Sequence, residues 1–314
     1  MTRTRCGFIA IMLLASTRLH AQLVPAYTQT NAYVFSPDGI QPNRDFHTGV
    51  NPASSTSSES AVGEWGSLSS YSFADLSTGV LRSQTTMVNL FPGTNPYVQS
   101  NAYFGDGFRT ANPNGSPYTW GPTSSGRFTL NLTGSITSSR SLAELNAGAF
   151  VILSVYRPGT LDPNLPVAGV PEVLRYYYWQ LGNPNLPLFS CDYVGNCSQL
   201  IPTAYLGTFP QTIVQDIYPG SDFDWALLIG SYGQPGNATG SFDMDFSRTL
   251  TASYQGPTGT TTYSQSGVFP STSLAPANTT VPEPATFVLI GAGLTVLGVV
   301  RRRRTSAAIE ATIE

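Results

Sequence analysis

Outside its first 21 residues the chain has one histidine, His47, and it has no lysine at all. A Ser-His-Asp triad would have to use that imidazole, and no Gly-x-Ser-x-Gly turn is present to supply the nucleophile. Zinc or iron sites built from several histidines are excluded by count, and without lysine there is no Schiff-base chemistry. Glycoside hydrolysis stays open, because it needs only two carboxylates about 5 to 10 Å apart. Glu64, Glu144 and Glu172 are the candidate members. Nothing in their spacing pairs them, and an isolated glutamate is more often a solvated surface group.

Two aspartate pairs, Asp222 with Asp224 and Asp243 with Asp245, have the two-residue spacing that puts both side chains on one face of a strand. Clustered carboxylate oxygens suit calcium, so these four are weak candidates for a cation site; neither pair has the glycine and distal glutamate of an EF-hand loop. The alternative is a solvent-facing position on a half-buried strand. Trp65, Trp120, Trp179 and Trp225 are candidate platforms for sugar rings, against burial in a sheet core for each. Cys191 and Cys197 close a short loop and are the only cysteines after Cys6. In an exported chain such a pair predicts a disulfide, with a catalytic cysteine as the rival reading. No cofactor is implied.

The elements that must position these residues read as β-strands. Residues 22–284 carry eight Arg, no Lys and sixteen Asp plus Glu, a formal charge of minus eight. Phosphate binding needs concentrated Arg and Lys, so no nucleic-acid partner is expected. Charged residues make up only 11 % of the chain, while sixteen Tyr and sixteen Phe provide enough apolar area to argue against disorder. Phe128, Leu130 and Leu132 alternate with Thr129, Asn131 and Thr133, and residues 150–156 form a continuous apolar run. Further strands are predicted at 32–35, 68–73, 85–91, 97–104, 173–181, 205–209, 212–218, 223–232 and 241–254. Residues 54–60 read as a Ser/Thr-rich loop, and 141–148 as one helical turn ending at Gly148. The fold class expected is all-β, a sandwich or jelly roll over residues 22–270.

The two ends of the chain have a different character. Arg3 and Arg5 precede an apolar run over 6–15, and Leu19-His20-Ala21 ends in a small residue. This is the layout of a signal peptide, residues 1–21, which implies the Sec translocon and signal peptidase as partners. A Ser/Thr/Pro spacer at 271–280 leads to Val281-Pro282-Glu283-Pro284, a sixteen-residue apolar run over 285–300, and Arg301, Arg302, Arg303 and Arg304. As a helix that run reaches about 24 Å, a little short of a bilayer core of about 30 Å, and the arginines stop it by remaining at the headgroups. One C-terminal transmembrane helix is therefore expected, with the arginine flank cytoplasmic.

Pro282-Glu283-Pro284, the adjoining apolar helix and the arginine cluster resemble the PEP-CTERM sorting signal, also called the ice-binding protein C-terminal domain, over residues 281–314. The resemblance implies export, a membrane-tethered precursor, processing near the motif by an exosortase-like enzyme, and delivery to the cell surface or extracellular matrix. The tail after Arg304 is longer than usual. The residues and the resemblance together favour a non-enzymatic envelope or matrix protein, with extracellular polysaccharide as partner. A secreted glycan-active enzyme using paired carboxylates is the alternative.

Overall fold

The computed structural model of the protein describes residues 26–37, 39–49, 52–161, 173–182, 188–191 and 197–269, all within one compact unit, Met1–Ser273. The expected signal peptide, spacer, Pro-Glu-Pro motif, transmembrane helix and arginine stop lie outside the described residues, as does Glu172. Among the described residues no helix is long and apolar enough to cross a membrane.

The strands in chain order are β1 (Ala26–Ser36), β2 (Gly39–Gly49), β3 (Ser55–Gly63), β4 (Gly66–Asp75), β5 (Val80–Asn89), β6 (Tyr97–Ala111), β7 (Gly126–Ser138), β8 (Ala147–Tyr156), β9 (Val173–Leu181), β10 (Leu188–Cys191), β11 (Cys197–Leu200), β12 (Ala204–Leu206), β13 (Gln211–Ile217), β14 (Phe223–Gly233), β15 (Gly240–Gln255) and β16 (Thr261–Ser264). The larger sheet runs β12-β9-β8-β14-β6-β1-β2, with β16 also paired to β6; the smaller runs β13-β7-β15-β5-β4-β3. They pack face to face as a β-sandwich, and β10 and β11 form a separate hairpin.

Alternation decides which side chains enter the sandwich. On β7, Phe128, Leu130 and Leu132 are buried while Arg127 and Asn131 are exposed; on β15, Phe242, Met244 and Phe246 are buried. From the larger sheet Phe104, Phe108, Phe223, Trp225 and Leu227 meet them. Phe108 is the centre of this aromatic half, stacked on Tyr254 at 4.3 Å and on Trp225 at 5.4 Å between centroids.

The other half of the interior holds a layer of hydroxyls among smaller apolar side chains. Thr28 bonds Ser55 at 2.9 Å and Thr30 bonds Ser57 at 2.8 Å. Ser83 bonds Ser100 and Ser231 at 3.0 and 2.9 Å, and Thr85 donates to Ser231 at 3.1 Å. All of these residues are buried, and each pair joins one sheet to the other. Small side chains that carry their own donors and acceptors satisfy one another there, so burial leaves no hydroxyl stranded in this layer.

Two strands depart from the sequence reading, the first because of this layer. Residues 55–63 are a strand, not a loop, because the inward positions of β3 are serines that pair with threonines of β1. β2, also unexpected, is polar, contains Pro42 and lies at a sheet edge, where a missing N–H is tolerated. The helical turn is real but single: Leu145 N–H donates to Ser141 C=O, Ser141 and Glu144 cap each other, and the turn ends at Asn146 (φ 41°), before Gly148 in β8.

Candidate functional site

The strand registers put a grid of side chains on the outer face of the larger sheet. Across one row stand Tyr33, Gln99 and Tyr232; across the next, Asn31, Asn101, Gly230 and Phe150. The row after that has Gln29, Tyr103, Leu228, Ile152 and Tyr178, and the following one Tyr27, Gly105, Ala226, Ser154 and Tyr176. At the far end Asp224 lies opposite Gly107 and Tyr156. The face is thus tyrosine and amide at one end, apolar in the middle and acidic at the other.

At the first end the surface opens into a cavity of about 380 Å³ lined by Tyr33, Phe35, Tyr97, Gln99 and Gln234. Tyr33 and Tyr97 meet edge to face at 5.7 Å, and Tyr97 O–H donates to Gln99 Oε1 at 2.7 Å. Burial, then the neighbouring hydroxyls of Tyr232, Tyr33 and Tyr103, push the Tyr97 phenol well above its ordinary range. Burial likewise pushes Tyr103 up to about 12, although Asn31 and Asn101 bond its hydroxyl. These phenols therefore stay neutral, acting as hydrogen-bond donors and acceptors. Gly230 is required in the second row, since a Cβ there would lie 2.4 Å from Asn101 Oδ1 and 2.5 Å from the Phe150 ring.

At the acidic end, Asp224 Oδ2 accepts N–H bonds from Gly159 (2.8 Å) and Leu161 (3.4 Å), and its Oδ1 accepts from Gln265 Nε2 at 3.5 Å. Burial raises its pKa to about 6, outweighing those N–H donors, and the charge of Asp106 adds to the rise. Asp106 sits on the inner face of the same sheet. Its oxygens accept from Gly107 N–H (2.7 Å), Ser266 N–H (3.1 Å), Ser266 Oγ (2.6 Å) and Ser264 Oγ. Burial raises this pKa too, against the pull of the two serines. The sequence offered no sign of Asp106: its two serine partners arrive from more than 150 residues away.

The residues singled out in the sequence fall as follows. Asp222 Oδ1 accepts from Thr110 N–H at 3.0 Å and Trp120 Nε1–H at 3.4 Å, so Asp222 and Asp224 are engaged separately, each by N–H groups aimed at the oxygens a cation would need. Asp243 and Asp245 face away from the core, as alternation predicts; Asp245 accepts from Ser247, and burial first, with the charge of Asp245, raises Asp243. Among the described residues no group of three His, Cys, Asp or Glu side chains is placed to hold a metal. Trp65, Trp179 and Trp225 are buried and Trp120 packs partly buried against Phe223. Glu64 is exposed in the β3–β4 turn, while Glu144 is bound to Ser141 in the β7–β8 turn. His47 pairs with Asp45 at 3.2 Å on β2, and the nearby Thr28 and Ser55 hydroxyls bond each other.

The β10–β11 register sets Cys191 opposite Cys197; their side chains lie outside the described residues. Cross-strand neighbours have the Cα separation that a disulfide needs. A bridge closing so short a loop contributes roughly 2 kcal/mol. Changing both residues to serine is expected to lower the oxidised protein's melting temperature modestly and leave its β-type circular dichroism intact. An identical melt would show that the thiols are unbridged.

No curated protein matches the chain. Residues 280–304 match the PEP-CTERM protein-sorting motif, and the chain is thereby an exported protein addressed to an exosortase for delivery to the surface or extracellular space.

Proposed function

We propose that the protein is a non-enzymatic component of the cell envelope or extracellular matrix that associates with polysaccharide after its sorting segment is processed. The observation that carries this reading is the open end of the outer sheet face, where tyrosine rings and uncharged amides line one cavity. Rings offer flat apolar area with a polar tip, and amides offer paired donors and acceptors, the combination that sugar hydroxyls on an apolar ring require. A glycan array on the exported protein, followed by turnover assays on whatever binds, tests the reading. Binding without product supports it; turnover lost on changing a single carboxylate would replace it with the glycan-active enzyme.

Before that stage the protein passes through the membrane as a tethered precursor, with residues 285–300 as the anchor, Arg301 to Arg304 as its cytoplasmic stop and Pro282-Glu283-Pro284 as the processing motif. Support comes from the motif match and the order of these segments. Glu283→Ala is expected to shift most of the protein from the surface to full-length precursor in the inner membrane, read by fractionation and blotting. An unchanged distribution would count against processing through this motif.

A further inference from the structure

We propose that the cavity between Tyr33, Tyr97 and Gln234 is the binding site, and that its ligand is an uncharged polysaccharide; this rests on the glycan-binding reading above. Three observations point there. First, none of the residues lining the cavity is charged, and the exported part carries eight more acidic than basic residues. A uronate or sulfated chain would meet a net acidic domain and no guanidinium among the lining residues, Arg44 standing one register row away on β2, whereas a neutral chain needs no such partner.

Second, the aromatic groups are accessible at this end: Phe35 is 36 % exposed and Tyr33 and Tyr97 are half-buried. Their edge-to-face arrangement gives two ring surfaces at a steep angle, 68°, forming a corner into which a sugar ring can fit on one face and one edge. Third, Tyr97 occupies Gln99 Oε1, which leaves the Gln99 amide hydrogens for a ligand acceptor. Aromatic faces, amide donors and the absence of charge in the lining together select a polyhydroxylated neutral chain.

The test uses affinity electrophoresis of the full chain in mild non-ionic detergent, through gels holding soluble mixed-linkage β-glucan, galactomannan or alginate. A neutral gel should retard the protein and alginate should not. Tyr97→Ala and Gln99→Ala should each weaken that retardation about tenfold. Tyr97→Phe keeps the ring and should lose less, while Tyr263→Ala, on an exposed tyrosine of β16, should lose nothing. Near-ultraviolet circular dichroism checks that each variant is folded. Retardation that survives both alanine variants overturns this site and leaves the glycan reading standing. Retardation by alginate alone overturns the uncharged ligand. No retardation in any gel and no signal on the array removes site and reading together. A dimer that Tyr97→Ala splits in sedimentation would make a second copy the occupant and overturn the proposal.

Discussion

Phe108→Ala is expected to destabilise the sandwich by about 3 to 5 kcal/mol, a large part of a typical total of about 5 to 15. The ring is fully buried, stacked between Tyr254 and Trp225, with edges of Phe223 and Phe269 closing round it. Truncation removes both stacks and leaves a void that aromatic neighbours anchored in two sheets are poorly placed to fill. For a domain of this size the melting temperature should fall by on the order of 10 °C. Leu90→Ala, at a side chain 58 % exposed, should change stability by less than about 0.5 kcal/mol. Equal effects of the two changes in urea denaturation would show that this aromatic cluster does not hold the sheets together.

The second large effect depends on pH. Asp224 titrates near 6 in the folded protein, against about 3.9 in an unfolded chain. The native state therefore holds the proton more tightly, and between about pH 4 and 6 it binds more protons than the unfolded state does. Stability present below about pH 4 is lost as pH rises through 6, by up to about 3 kcal/mol, and is level above that. The raised pKa of Asp106 acts in the same direction. Carboxylates held low, Asp216 by Arg127 and Glu144 by Ser141, work oppositely, and only as pH falls through their own lowered values. Asp224→Asn keeps an oxygen for the Gly159 and Leu161 N–H groups and removes the charge. The variant should be more stable than wild type at pH 7 by about 1 to 3 kcal/mol and show a flatter profile between pH 4 and 7. Parallel profiles for the two proteins would refute the assignment.

What the sequence made legible depended on which side chains face inward. β7 and β15 announce themselves because their buried positions are Phe, Leu and Met while the intervening ones are Thr, Asn and Asp. β3 does not, because Ser55 and Ser57 face inward and Ser/Thr alternation carries no apolar signal. The sorting motif was legible because it is contiguous. The tyrosine and amide rows were not: Tyr33, Gln99 and Tyr232 are separated by scores of residues and become neighbours only through the pairing of β1, β6 and β14. The same reason hides the burial of Asp224, which depends on backbone donors some sixty residues away.

The hydroxyl-lined half of the interior also bears on how stability varies with temperature. Exposing apolar surface on unfolding raises the heat capacity, by about 0.45 cal/K/mol per Å², and exposing polar surface lowers it, by about 0.26. Unfolding this sandwich uncovers the aromatic half and the buried Thr28, Thr30, Ser55, Ser57, Ser83, Thr85, Ser100 and Ser231 at once. The two contributions oppose each other, so each hydroxyl pair lowers the heat-capacity increment relative to an apolar pair in the same place. A smaller increment gives a less curved dependence of stability on temperature. The serines and threonines between the sheets thus make stability vary less between warm and cold than an all-apolar interior of the same size would.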